Sequence, residues 1–427
     1  MRFCTMTLGC KVNQYETQAI ESILCGRGHE LTVLGTGADV CILNTCAVTA
    51  ESGRKSRQAI RRMKKLEPNA KIAVFGCFSQ LEPAAVAELG VDLIGGTSDR
   101  LGFALDATGD GVLSQNATIH RPPVAFEELP PGNSTSRTRA LLKIQDGCDN
   151  YCSYCIVPYI RGRSRSLPLE LVTEYAKQLN EQSYLEIVIT GIEISSYGKD
   201  LGKQMIDAIR NISAAAPNAR LRLGSLDPAL LTGEFCSELS VIKNLCNHFH
   251  LSLQSGCDET LQRMGRRYTT SQVLKSIEAI RAHFNKDGKN CGITADLITG
   301  FPGETEDEFD KTLDFIKKAM FSDMHIFPYS LRPGTKAAAM PGQVDNNTGR
   351  ERVRKAIEIA QEMEKDFKNS QIGKTVEVLF EQEKKGLSIG HSENYSQVAV
   401  REKVKRNSIK KVKITGIKNS VLTGEIV

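Results

Sequence analysis

From Ala140 onward six strand-like runs follow one another, ALLKI, LEIVIT, RLRLGS, FHLSLQ, GITADLITG and MHIFPY, with helical patterns between them. Among the helical stretches are residues 168–182, opened by Pro168, and residues 271–284 and 304–320. Parallel strands need a crossover and the crossover is right-handed, so this alternation predicts an open, partial (β/α)6 barrel. In such a barrel the loops at the carboxyl ends of the strands carry the site. The triplet Cys148-x3-Cys152-x2-Cys155 falls directly after the first strand, at that end.

Three thiolates so spaced suit three irons of a four-iron cluster and leave the fourth iron open to a further ligand. Zinc would want a fourth Cys or His nearby, and none follows for dozens of residues. Chance surface cysteines rarely sit this close together. The 13 cysteines are an odd number scattered along the chain, which argues against a disulfide framework and for metal or redox use.

Residues 1–125 alternate β-rich runs (2–8, 40–43, 71–75) with helical patterns (13–25, 49–66, 80–89), predicting βαβ units on a doubly wound parallel sheet. Cys10, Cys46 and Cys77 each stand just past one of these strands, at the sheet edge where ligands bind. Any one of them alone reads equally as a core filler; three in equivalent positions point to a shared site. Cys4, Cys25, Cys41, Cys236, Cys246 and Cys291 lie in apolar patterns and are read as core, and nothing makes Cys257 a ligand.

A Pro-, Gly- and Ser-rich stretch over 126–137 predicts a linker, with a boundary near 135. Residues 345–370 read as a polar helix. Beyond it, apolar runs at 375–380, 397–400, 410–414 and 421–427, broken by Gly386, Gly390 and Gly416, predict a small antiparallel β-barrel. The expected class is α/β, with domains over 1–125, 135–365 and 371–427. The last segment carries 11 Lys and Arg against 6 Glu and no Asp, enough to account for the whole formal net charge of +5. It suits a polyanion such as RNA, or equally a solvated lid. Residues 49–66 form a second basic helix, with Arg54, Lys55, Arg57, Arg61, Arg62, Lys64 and Lys65. No run of 18 apolar residues occurs and the N-terminus lacks a signal-peptide pattern, so no membrane partner and a cytoplasmic protein are expected. GFPGET lacks the Gly-Lys-Ser/Thr ending of a phosphate loop; its Glu304 and Thr305 read as a helix start.

Together, TLGCKVNQYE, NTCAVT, GCFSQ, the cysteine triplet, LSLQSGCDETLQRMGRRYT, GFPGET and FPYSLRPGTKAA resemble the methylthiotransferase family of radical S-adenosylmethionine (SAM) enzymes over nearly the whole chain. The resemblance implies an N-terminal methylthiotransferase domain, a radical SAM barrel and a C-terminal TRAM domain. It assigns Cys148, Cys152 and Cys155 to the SAM-binding 4Fe-4S cluster and Cys10, Cys46 and Cys77 to an auxiliary one. It implies SAM as both methyl donor and radical source, and no catalytic side chain beyond the cluster ligands. As partners it implies tRNA, a sulfur source and an electron donor such as flavodoxin or ferredoxin, with the protein a monomer. TLGCKVNQYE is most similar to the subgroup acting on C2 of N6-threonylcarbamoyladenosine at tRNA position 37. Isopentenyladenosine, a ribosomal protein aspartate, and a non-catalytic iron–sulfur RNA-binding sensor are the alternatives. SAM contacts implied by position are Tyr154, Gly191, Glu193, Ser225, Asp227 and Gln254, although residues 193–196 depart from the usual family pattern. Asp227 reads equally as a helix cap. One of Arg161, Arg163 and Arg165 is expected to pair with the SAM carboxylate or an RNA phosphate, a solvated arginine cluster being the competing reading.

Overall fold

The computed structural model describes residues 1–111, 122–132, 138–286 and 288–427. Five parallel strands open the chain: β1 (Arg2–Thr7), β2 (Glu30–Leu31), β3 (Val40–Thr45), β4 (Lys71–Gly76) and β5 (Leu93–Ile94), in the order β2-β1-β3-β4-β5. Helices α1 (Lys11–Gly26) and α5 (Arg100–Thr108) cover one face, burying Ile20, Leu24, Phe103 and Ala104. Helices α2 (Ala50–Leu66), α3 (Cys77–Leu81) and α4 (Pro83–Ala87) cover the other through Ile60, Met63, Phe78 and Val86. The sheet is doubly wound, as expected. One helix was expected over 80–89; it is two, because Pro83 starts a new helix after Glu82 leaves helical geometry.

The linker region is anchored where it is described. Tyr15 donates to the Leu129 carbonyl at 2.6 Å, and Leu129 is buried beside Tyr15. Residues 133–137, including the boundary expected near 135, lie outside the described residues.

Six parallel βα units follow. β6 (Ala140–Lys143) leads through a short ladder of β7 (Gln145–Asp146) and β8 (Arg165–Ser166), with α6 (Val157–Arg161) between them, to α7 (Leu169–Glu181). Then come β9 (Glu186–Thr190), α8 (Met205–Ala215), β10 (Arg220–Leu223), β11 (Ser225–Leu226), α9 (Gly233–Ser240), β12 (His248–Gln254), α10 (Asp258–Met264), α11 (Thr270–Phe284), β13 (Gly292–Thr299), α12 (Glu306–Ala319) and β14 (Asp323–Pro328). The third strand is broken at Gly224, giving sheets β10-β9-β6 and β11-β12-β13-β14. Alternate residues such as Ile187, Leu221, Phe249, Leu251, Ile293 and Ala295 face the helices and form the main core. Thr305 caps α12 by accepting from the Glu308 amide at 3.2 Å, while Glu304 is buried against Arg352.

Helix α13 (Asn346–Asn369) packs on β14 and α12, so the end expected at 365 falls inside a helix. The last five strands, β15 (Thr375–Lys384), β16 (Leu387–Ser392), β17 (Gln397–Val400), β18 (Ser408–Lys418) and β19 (Val421–Ile426), close a barrel around Val378, Phe380, Val398, Val412 and Leu422. It is not wholly antiparallel as expected: β17 and β19 run parallel, Val398 beside Leu422 and Ala399 beside Thr423. Strand β16 was not foreseen, because Gly390 reads as a break. It lies inside the strand, where an added Cβ would stand 2.1 Å from the Leu379 carbonyl oxygen, so only glycine permits the approach.

Candidate functional site

Each expected cysteine trio converges. Cys10 caps the start of α1, Cys46 follows β3 and Cys77 opens α3, all at the carboxyl edge of the first sheet. Gly9, at φ +111°, brings the first loop against the second; a Cβ there would meet Cys46 Cβ at 2.9 Å and its Sγ at 3.1 Å. Burial pushes the thiols of Cys10, Cys46 and Cys77 up, and the Arg161 cation pulls each back down. Arg161 Nε donates to Cys77 Sγ at 3.4 Å.

The second trio sits in the loop after β7. The Ser153 amide donates to the Met264 carbonyl at 2.9 Å, and the Ala337 amide donates to the Ser153 carbonyl at 2.8 Å, clamping the loop between α10 and the segment after β14. Burial raises Cys148 to about 11 and Cys155 to about 12, with neighbouring thiols adding to both shifts. A buried, elevated thiol loses its proton readily only where a metal or a cation stabilises the thiolate, so both donor sets fit an iron–sulfur cluster chemically. The loop leads straight into α6, where Ile160 and the preceding Ile156 pack into the first sheet's core beside Cys77 and Phe78. The two cysteine edges are thereby joined through α6.

Of the three arginines, one of which was expected to meet the SAM carboxylate or an RNA phosphate, Arg161 is buried. It donates to Glu16 Oε1 at 2.9 Å, Asp146 Oδ1 at 3.1 Å and Asn13 Oδ1 at 2.7 Å. Arg165 is also buried, 3.3 Å from Asp146 Oδ2, and only Arg163 reaches solvent, where it pairs with Asp149. These interior carboxylates outcompete any external anion. Cys25 is exposed, not core, because it lies on the outer face at the end of α1. The other expected core cysteines are buried, and Cys4 and Cys41 touch at 3.1 Å.

The expected SAM contacts gather at the carboxyl ends of the barrel strands. Tyr154 packs edge-on to Phe301 at 6.3 Å in a small apolar cluster with Met264 and Ala337. Gly191 follows β9 closely enough that a Cβ would meet the Gln145 carbonyl oxygen at 2.9 Å. Glu193 is half-buried; burial raises its carboxyl, nearby Asp227 raises it further, and the Ser195 amide at 3.2 Å opposes both. Asp227 acts as the cap, Oδ1 accepting from the Ala229 amide at 2.9 Å, while Oδ2 faces Arg266 at 3.4 Å. Ser225 is exposed on the inner side of β11, opposite buried Leu226. Gln254 ends β12 with φ +68°, where the register with β13 shifts.

Arg266 escaped the sequence reading. Its Nη1 lies 3.4 Å from Cys152 Sγ, its Nη2 donates to the Ser252 carbonyl at 3.1 Å and its Nε to Tyr268 at 2.9 Å. The available signal was Gly265, whose αL conformation ends α10 and turns the next residue inward. Two carboxylates, one with a raised pKa, beside one guanidinium form a zwitterion-shaped cradle, the donor set that an ammonium, a carboxylate and ribose hydroxyls require.

The barrel bore is closed below by the C-terminal barrel. Arg220 donates to the carbonyls of Glu377 and His391 at 3.1 and 2.9 Å, and Arg222 to those of Glu393 and Ser392, both at 3.1 Å. Glu186 binds both arginines at 2.6 and 2.8 Å. Tyr395 stacks on His248 at 4.8 Å, forming the floor. On the side, α1 lies across the inner faces of β6 and β9, where Tyr15 and Ala19 pack on Leu141 and Val188. Cys10 and Lys11 reach water.

Residues 142–316 match the Radical SAM superfamily and residues 2–96 the Uncharacterized protein family UPF0004. The chain is 37% identical over 406 residues to the threonylcarbamoyladenosine tRNA methylthiotransferase MtaB of Bacillus subtilis (strain 168), covering 92% of this chain and 88% of the relative. It is 36% identical over 391 residues to the protein of that name from Thermotoga maritima, covering 91% and 89%. It is 34% identical over 384 residues to a tRNA-2-methylthio-N(6)-dimethylallyladenosine synthase of Natranaerobius thermophilus, covering 86% and 84%. Among solved structures, the radical SAM methyltransferase TsrM of Kitasatospora setae superposes with a TM-score of 0.58 at 15% identity over 79% of this chain and 77% of that one, a likeness of fold.

Proposed function

The chain belongs to the radical SAM tRNA methylthiotransferase family, and from that premise we propose that it places a methylthio group on C2 of N6-threonylcarbamoyladenosine at position 37 of tRNA. The observation that carries this reading is the junction of the two cysteine edges through α6, with Arg161 reaching Cys77 from the helix that follows the triplet. Cys148, Cys152 and Cys155 would hold the SAM-binding 4Fe-4S cluster, and Cys10, Cys46 and Cys77 an auxiliary one. When bound, the clusters and SAM supply the electron, the radical and the methylthio group that an unactivated aromatic C–H demands.

The chain's own residues bind, orient and shield. Glu193 takes the SAM ammonium, Arg266 its carboxylate, and Ser225 and Asp227 the ribose hydroxyls, while Tyr154 walls the adenine side. Gly191 keeps the end of β9 open to the nucleoside, and Gln254 turns its amide toward the same space. Phe327, on the inner side of β14 and 51% exposed, offers a flat apolar surface on which the target base stacks. The floor at Tyr395 and the α1 flank exclude bulk water.

Residues 1–125 would serve as the methylthiotransferase domain, 135–365 as the radical SAM domain and 371–427 as the TRAM-like domain. Exposed Arg54, Lys55, Arg61, Arg62 and Lys65 on α2, with Lys403, Lys405, Lys410, Lys411 and Lys413 on the last barrel, would contact tRNA phosphates. A reductant of the flavodoxin or ferredoxin type and a sulfur source complete the reaction, and the protein acts as a monomer in the cytoplasm; none of the helices among the described residues is long and apolar enough to cross a membrane. The test is mass spectrometry of tRNA nucleosides from a strain lacking the gene. Loss of the methylthio adduct on threonylcarbamoyladenosine is expected, and an unchanged nucleoside profile refutes the assignment.

A further inference from the structure

Strands β12, β13 and β14 turn alternate residues to the two faces of their sheet. Phe249, Leu251, Ile293, Ala295 and Met324 face the helices, so His248, His250, Thr294, Asp296 and His325 share the inner face. Thr294 stands opposite His250 in the register, and Asp296 opposite His325. Three strands thereby bring two imidazoles and one carboxylate together, and the ligating atoms of His250, Asp296 and His325 all lie within 4.8 Å of one another. His250 Nε2 is 3.2 Å from Asp296 Oδ2, and His325 Nδ1 is 3.3 Å from Asp296 Oδ1. Metal–ligand bonds of about 2.1 Å, at angles between octahedral and tetrahedral, set neighbouring donor atoms about 3.0–3.4 Å apart. Two of the three separations already match, and His325, its side chain 57% exposed, can turn to close the third.

Thr294 supports His250 from behind. Its hydroxyl oxygen lies 2.8 Å from His250 Nδ1 and 3.1 Å from His248 Nε2. One hydroxyl carries one hydrogen, so it accepts from one ring and donates to the other. When His250 Nδ1–H donates to it and it donates to His248, His250 Nε2 presents a bare lone pair to Asp296. Lone pair and carboxylate repel at that distance unless a cation stands between them. Metal-bound histidines are held in this way, the far ring nitrogen donating to an oxygen that fixes tautomer and orientation. With the hydrogens reversed both imidazoles donate to Asp296, which keeps the carboxylate satisfied when no ion is bound.

We propose that His250, Asp296 and His325 bind a divalent first-row transition ion through two imidazoles and one carboxylate, at a site built from none of the six cluster cysteines. Imidazole and carboxylate donors without thiolate suit zinc or ferrous ion. Three protein ligands leave the remaining positions open to water or another oxygen donor, as in a catalytic rather than a closed structural site. They open on the inner face of β14, where Phe327 follows His325 with ring centres 6.5 Å apart. The ion therefore stands beside the surface assigned to the target base.

The test uses the anaerobically reconstituted full chain, selected for full iron content so that free thiolates do not compete for the probe, zinc ion. After equilibration with about 1 µM free zinc, wild type retains about one zinc per chain and loses no iron. Zinc K-edge absorption shows a shell of nitrogen and oxygen at about 2.0–2.1 Å and no sulfur at about 2.3 Å. His250→Gln, Asp296→Asn and His325→Gln each weaken zinc binding about hundredfold or more, and Thr294→Val about tenfold, with iron content at the wild-type level. His325→Gln changes an exposed side chain and decides the matter if a variant at one of the inner positions fails to fold. The proposal is overturned if, at full iron content, wild type retains no zinc, if the zinc shell contains sulfur, or if His325→Gln binds zinc as wild type does.

Discussion

Replacing Glu16 by Gln removes the centre of the ion cluster that joins the first sheet to the barrel. Glu16 is fully buried and meets Arg161 at 2.9 Å, Lys143 at 3.0 Å and Arg100 at 3.1 Å. Asp146 shares the same cations and adds Arg165, while Glu127 binds Arg100. The variant leaves these four cations facing two carboxylates. Breaking a buried pair from one side costs about 3–5 kcal/mol, and because Gln keeps the shape and one acceptor the lower end applies, ~3 kcal/mol. That corresponds to roughly a hundredfold in an opening equilibrium. Hydrogen exchange at the amides of α1 and β6 reads it directly, with about hundredfold faster exchange expected in the variant. Less than tenfold acceleration would refute the view that this cluster locks the two units together. The sign with pH follows from the cations that hold Glu16 below the usual carboxylate range. Its contribution is complete above the unfolded carboxylate's pKa and lost only as pH falls through the lower folded value. Wild-type exchange in α1, corrected for intrinsic rates, therefore stays level between pH 7 and 5.

Three further outcomes are expected. Cys152→Ala abolishes SAM cleavage, whereas Cys46→Ala keeps reductive cleavage and stops methylthiolation; undiminished methylthiolation in the Cys46 variant would remove the auxiliary site. Arg266→Gln weakens SAM binding about tenfold or more by calorimetry, since it loses a charge-assisted contact to the carboxylate; unchanged affinity would place the SAM carboxylate elsewhere. His325 is raised above ordinary histidine chiefly by its bond to Asp296, so its NMR titration midpoint should fall in Asp296→Asn. An unmoved midpoint would show that the pair does not form in solution.

The three-part architecture was legible because its signals are local: strand runs at regular spacing, turns, and cysteines at strand ends. Cys10, Cys46 and Cys77 stood out for the same reason, each thiol lying a residue or two past an apolar run, and Cys148, Cys152 and Cys155 by their mutual spacing. What the sequence concealed depends on distant partners. Arg161 looked like one of three arginines open to an outside anion or to solvent, and only the fold sets Glu16, 145 positions away, against it. Gly390 looked like a break because its role is set by a crossing strand, and β17 met β19 in parallel although the alternation along each strand carries no direction. Arg266 lay within a recognised stretch, yet its reach to Cys152, 114 positions earlier, follows from the turn at Gly265 and not from spacing.

The most direct test of the central claim is the iron and sulfide content of anaerobically reconstituted protein, with electron paramagnetic resonance of its reduced form. The account predicts roughly eight irons per chain in the wild type and half that in each of two triple variants, Cys10/Cys46/Cys77→Ala and Cys148/Cys152/Cys155→Ala, with distinct residual signals. A wild type holding only one four-iron centre, lost entirely in one triple variant and untouched in the other, would contradict it.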